Sequence, residues 1–310
     1  MGKIRLQTVM QTSRNSGAKK INCARREKLI LSDQSKTMPP NTGTPKKSDA
    51  AATLTKKAWP QQLFLVLTLA AAVATLFNPP GTTSNLDLLL VLLATAASIS
   101  TLARQLPLQS VLFAAFITAL IGAATHGLSA RTGLPLGPIS FGETAGPQLF
   151  DTVPWTVGLI WIIALFNSRG VARLILRPWR RVKTYGFLLI GLTALLALAF
   201  DLALEPFAHV KHLWLWQPTK ISVSWHGASP LSLLGWTFVS LLILVIIMPY
   251  LIRKQPGNPS APDWSPLGLW IGTVVLFTVS VAQAGLWAAV SLNAVIAVAA
   301  VVFSWRGAKW

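Results

Sequence analysis

Cysteine and acid are nearly missing from this chain. Its one cysteine, Cys23, has no partner in the sequence, which excludes a disulfide framework, an iron–sulfur cluster and a cysteine-based zinc site. Asp and Glu number nine against 27 Lys and Arg, and charged residues make up only 12% of the 310 positions. An average soluble domain carries about 25%. No glycine-rich GxGxxG follows a strand pattern and there is no P-loop, so no nucleotide or redox cofactor is expected. The apolar runs do not alternate with polar residues, which argues against membrane-spanning strands.

What is present in excess is apolar surface, at 53% of residues. A chain with so little ionic surface does not shield itself from water, and a bilayer is its natural solvent. The net charge of +18 raises nucleic acid as a partner, but the excess sits in an N-terminal tail and in short loops between apolar runs. Basic loops facing anionic lipid explain it, and no nucleic-acid partner is expected.

Two domains are expected. Residues 1–57 are rich in Lys, Arg, Ser, Thr, Gln, Asn and Pro with no sustained apolar period, a disordered, basic, cytoplasmic tail. Translation starting at Met38, just before Pro39 and Pro40, is an expectation that N-terminal sequencing of the native protein tests. Residues 58–310 form an all-α polytopic membrane bundle of about eight spans: Trp59–Phe77, Leu86–Ala103, Ser110–Gly127, Thr152–Asn167, Tyr185–Leu204, Leu231–Ile252, Pro266–Ala284 and Leu286–Trp305. Most approach the roughly 20 residues needed to cross a bilayer, while the fourth is short. With the tail cytoplasmic, 24 of the 27 basic residues fall on the inner side and only Arg131, Lys211 and Lys220 on the outer. Both termini are therefore expected inside.

Two loops outside the tail do more than connect, at about 128–151 and 205–230. All four histidines, His126, His209, His212 and His226, lie in or beside them, as do Glu143, Asp151, Asp201 and Glu205. Asp201 and Glu205 are four apart in the fifth span and project from one helix face. A carboxylate at mid-membrane costs roughly 2.5–3.5 kcal/mol, so such residues face a cavity or a partner. Desolvation and a like-charged neighbour both favour a protonated carboxyl, the form a general acid needs. The alternative is that the two acids end a helix at the interface and pair with Lys211 or His209. Glu143 and Asp151 are weaker candidates, since loop acids are usually solvated. His209 and His212 offer two ligands on one helical turn, but no motif supplies a third and no metal is expected. Phe141, Phe150, Trp155, Phe207, Trp214, Trp216 and Trp225 crowd these loops, with Trp236 inside span six. They read as an interfacial aromatic belt or as the lining of a slot for a long apolar ligand.

At these loops the sequence resembles the bacterial and archaeal carotenoid biosynthesis membrane-protein family, whose characterised members hydrate the terminal double bond of γ-carotene or bisanhydrobacterioruberin. The resemblance rests on the stretch from Pro135 to Pro147, on Val153 to Trp155, on Asp201 with Glu205 and Pro206, on Trp214 and Trp216, and on Gly227, Gly235 and Trp236. It covers roughly residues 60–300, with specific motifs at about 128–155 and 201–236. Departures are Glu205 where the family has Asp, Trp225 and His226 for a tyrosine pair, Ser232 for Asn, and Ile139 and Phe141 for hydroxylated aromatics.

The resemblance implies cofactor-independent hydration of a terminal carbon–carbon double bond at an acyclic carotenoid end. Asp201 or Glu205 would supply the proton, with Glu143 or His226 guiding water. Phe141, Trp155, Trp214, Trp216, Trp225, Trp236 and Ser232 would bind the polyene. It also implies a place in the bacterial inner membrane and other carotenoid-pathway enzymes as partners, while the basic-residue count puts both loops, and so the site, toward the non-cytoplasmic face. The rival readings are a carotenoid- or lipid-binding membrane protein without catalysis and a secondary transporter. The transporter reading predicts related halves, which the sequence lacks.

Overall fold

The computed structural model describes residues 59–75, 85–217, 223–252 and 261–310. The tail expected over 1–57 and the outer-side Lys220 lie outside the described residues. Among the described residues, eight long helices carry the fold: α1 Trp59–Thr75, α2 Asn85–Ala103, α3 Leu108–Thr132, α4 Trp155–Ile175, α5 Tyr185–Val210, α6 Pro230–Ile247, α7 Ser265–Gln283 and α8 Trp287–Ala308. From α3 onward, six are long and apolar enough to cross a membrane, and α1 and α2 contain shorter apolar stretches, Pro60–Ala74 and Asp87–Ala103. The molecule is a helical membrane bundle, as its composition required.

Two boundaries differ instructively from the hydropathy reading. The fourth span is not short: α4 runs eight residues beyond Asn167, the end expected for it. Hydropathy stops there because Asn167, Ser168, Arg169 and Arg173 are polar, yet the first three are buried against neighbouring helices. Asn167 Nδ2 donates to Ser98 Oγ at 2.8 Å, Trp270 Nε1 donates to Ser168 Oγ at 3.2 Å, and the Arg169 guanidinium donates to the Leu251 carbonyl. The helix is central, with 72% of its apolar window buried against 22% for α8. A helix surrounded by protein carries polar groups that a lipid-facing one would not tolerate.

The fifth span is also longer, since α5 continues through Pro206 to Val210. Pro206 has no N–H for the Leu202 carbonyl one turn back. Trp225 Nε1 donates to that carbonyl at 2.9 Å, so the helix passes its proline without an orphaned acceptor.

The two long loops contain short strands that the all-helical reading did not anticipate: β1 Ile139–Phe141, β2 Gln148–Leu149, β3 Val153–Pro154 and β4 Trp214–Trp216. β2 and β3 form a small local pair. β1 and β4 pair antiparallel across 75 residues of sequence, with Ile139 opposite Trp216, Ser140 opposite Leu215 and Phe141 opposite Trp214. This ribbon laces the loops together at one end of the bundle and fixes which aromatic rings turn inward. At the opposite end, Arg104 donates to Ser265 Oγ, Gln105 to Asp263 and Arg173 to Gln105, joining the ends of α2 and α4 to the start of α7.

Candidate functional site

Asp201 and Glu205 are 0% and 1% exposed, one turn apart on α5. Neither pairs with Lys211 or His209, the interfacial alternative. Lys211 Nζ instead lies 3.3 Å from Asp87 Oδ2 on α2, and the His209 ring centres 6.1 Å from that of His226. Glu205 Oε2 accepts two indole N–H groups, from Trp214 at 3.2 Å and Trp216 at 2.8 Å. Both donors lie on β4, where residues 214 and 216 point to the same face of the strand. The strand pairing therefore sets both indoles on one carboxyl oxygen. Glu205 Oε1 and both Asp201 oxygens have no hydrogen-bond partner among the described residues.

Beside this carboxyl pair lies an aromatic box, of which the sequence singled out Phe141, Trp214 and Trp236 but not Trp161. His126, 1% exposed on α3, sits among four rings: Trp236 at 5.9 Å between centroids, Trp161 at 6.0 Å, and Phe141 and Trp214 both at 6.3 Å. Trp161 and Trp236 stack with centroids 3.8 Å apart and planes 10° off parallel, which clamps α4 to α6. Trp161 Nε1 donates to His126 Nδ1 at 3.3 Å. An indole N–H only donates, so that bond requires the histidine proton on Nε2; the other tautomer would instead donate from Nδ1 to the Gly122 carbonyl at 3.1 Å. Gly122 is required because the Trp161 ring occupies the space a Cβ would fill. An ionisable residue inside an apolar run was the available signal for His126. Trp161, one aromatic among many in a span, carried none.

The remaining expected residues fall in three places. Trp225 supports the Leu202 carbonyl, and His226 packs edge-on against it at 4.7 Å, half-buried in a tight turn closed by a bridge from Trp225 to Ala228. Burial, and then the charge of His209, hold the His226 imidazole below its ordinary pKa. Ser232 is fully buried on the first turns of α6, and its Oγ has no partner among the described residues. His209 and His212 do not share a helical turn, because α5 ends at Val210 and His212 has φ 51°.

Glu143 is exposed on a single 3-10 turn and faces an apolar cavity of about 280 Å³. Phe64, Val91, Ile163, Leu204 and Phe277 contribute to its walls, and Glu143, Thr144, Asp87 and Lys211 give it a polar part. Trp155 lies against the same loop, its Nε1 3.4 Å from where a Cβ on Gly146 would stand. Asp201 and Glu205, expected to face such a hollow, do not line it. Its α5 wall is Phe200, Leu204 and Phe207, with Lys211 just past the helix end, and one residue along a helix turns a side chain by about 100° onto the next face. Trp214 is the link, since it lines the cavity and donates to Glu205. Among the described residues, no three His, Cys, Asp or Glu side chains are grouped to hold a metal ion.

A family model described as "carotenoid biosynthesis protein" matches residues 86–300. No curated protein and no solved structure matches the chain.

Proposed function

The chain belongs to the carotenoid biosynthesis protein family, and from that premise we propose that it adds water across the terminal double bond of an acyclic carotenoid end, giving a tertiary alcohol. The observation that carries the reading is Trp214, which forms part of the wall of an apolar cavity and binds the buried Glu205 carboxyl with its indole N–H. The cavity suits one end of a polyene rather than the whole molecule, and the remainder would lie in the bilayer.

The chemistry needs one acid, one water and a surface tolerant of positive charge. A carboxyl proton of Asp201 or Glu205 passes to the less substituted alkene carbon, and the π pair forms the new C–H bond. The positive charge rests on the tertiary carbon, where an indole face attracts it. Water adds its lone pair there, and the oxonium proton returns to the carboxylate, so acid and water balance with no redox step. Turning of the Trp214 indole would open Glu205 to the cavity. Glu143, on the cavity's polar part, is placed to guide the water, while His226 supports the Trp225 corner.

The test is co-expression with a lycopene or γ-carotene pathway, followed by pigment extraction and mass analysis. Wild-type protein is expected to yield a product one water heavier than its precursor, and Asp201→Asn to abolish it at equal protein level. Unchanged product in Asp201→Asn and Glu205→Gln would remove both acids from the mechanism.

A second reading is carotenoid binding without catalysis. It is favoured by one observation: neither buried acid lines the cavity. On that reading the wild-type protein co-purifies with pigment and no alcohol forms.

A further inference from the structure

The end of the bundle away from the ribbon holds a second pocket, of about 40 Å³, enclosed by Gln105, Gly170, Arg173, Arg180, Asp263 and Pro266. Gly170 allows this closure, because Pro266 stands where a Cβ would be. Among the described residues, nine Lys and Arg lie at this end and Asp263 is its one acid.

That acid is already shared. Its Oδ2 accepts from Gln105 Nε2 at 2.7 Å, its Oδ1 accepts from the Ser265 N–H at 3.0 Å, and Arg104 lies 3.6 Å from Oδ1. Arg169, one turn from Arg173 on α4, is 4% exposed. Its guanidinium donates to the Leu251 carbonyl, and its Nε has no hydrogen-bond partner among the described residues. Arg173 donates to Gln105 Oε1 at 2.8 Å, and Arg180 is exposed on the pocket wall. No carboxylate of the described residues lies within ion-pair distance of Arg169, Arg173 or Arg180. The buried Arg169 guanidinium is withdrawn from water without a counter-charge, which is costly, and with Arg173 and Arg180 beside it this corner holds positive charge that the described chain does not balance.

We propose that the pocket formed by Arg173, Arg180 and Gln105 binds the phosphate group of an anionic phospholipid. Guanidinium forks match the geometry of phosphate oxygens, and basic pockets between membrane helices capture anionic headgroups. The depth also fits a lipid: Trp179 and Trp264, half-exposed in the segments bounding the pocket, are of the type that marks the headgroup level of a bilayer.

The test is native mass spectrometry of the full chain released from equimolar phosphatidylglycerol and phosphatidylcholine. Wild-type protein is expected to retain phosphatidylglycerol in preference. Arg180→Gln, exposed and so neutral for folding, and Arg173→Gln are each expected to weaken that retention about tenfold or more, as loss of a charged hydrogen bond does. Lys309→Gln, which removes the same charge from a cation seated over Trp305, is expected to leave it unchanged. Equal retention of the two lipids, or an equal loss in all three variants, overturns the site. Displacement of the lipid by millimolar inorganic phosphate overturns the lipid source and assigns the pocket to a soluble phosphate.

Discussion

At the ribbon end a buried carboxyl is held by two indoles, whereas at the opposite end a carboxyl is held by an amide, a backbone N–H and a guanidinium. Glu205 takes Trp214 and Trp216 on one oxygen and leaves the other unpartnered, with Asp201 unpartnered beside it. Asp263 has both oxygens in use and sits at 27% side-chain exposure. A fully partnered, part-exposed acid serves to tie helix ends together. A buried acid left partly unpartnered destabilises the fold, and such costs gather where a protein does chemistry. On the proposed reading the ribbon end is the working end and the basic end the anchoring one.

The sharpest way to break that contrast is to remove the aromatic wall. Trp161→Ala deletes the ring stacked on Trp236 and edge-on to His126, and should cost about 3–5 kcal/mol, as a large buried truncation does. Thermal unfolding in detergent reads this, and a loss below about 1 kcal/mol would show that the box does not hold α4 to α6. Next, Trp216→Phe keeps the ring but removes the 2.8 Å donor to Glu205, with an expected cost of about 1–3 kcal/mol. Equal stability would mean that Trp214 alone satisfies the carboxyl.

The matching change at the basic end, Asp263→Ala, should cost about 1 kcal/mol or less, because exposed ion pairs are screened; a larger loss on urea titration would make this end as tightly built as the other. The smallest effect belongs to His226. Its folded pKa lies below the unfolded value, chiefly through burial and then through His209, so the unfolded chain takes up its proton first as pH falls. Stability from this corner is present above the unfolded pKa of about 6.5 and is lost as acid is added below it. His226→Asn keeps a residue tolerant of its φ of 49°, and should flatten the decline in melting temperature between about pH 7 and pH 5. An unchanged slope would move the titrating group elsewhere.

Much of the candidate site is legible in the sequence. Asp201 and Glu205 stood out because ionisable groups in an apolar run are costly, and both are buried. Trp214 and Trp216 stood out among the aromatics crowding the loops, but the strand that turns both indoles the same way was not legible. Trp225 was legible as an aromatic of the loop but not as the group that repairs the helix at Pro206, since that partnership crosses 23 residues. His126 stood in the sequence as one of four histidines, and its ring of aromatic neighbours is assembled from α4, α6 and both strands of the ribbon. Glu143, conspicuous only as an acid in a long outer loop, lines the cavity; Asp201, conspicuous as an acid in an apolar run, does not.

The sequence by itself determined the solvent, the helical class, the charge asymmetry of the two ends and the identity of the buried acids. All four follow from transfer free energies and a count of loop charges, which are summed along the chain and need no knowledge of neighbours. Tertiary structure decided that α4 is the central helix, that the two loops pair as a ribbon, and that a cavity runs past the face next to the acids rather than the face that carries them. Those outcomes depend on the rotation of each helix about its own axis against its neighbours, a quantity fixed by packing among segments far apart in sequence.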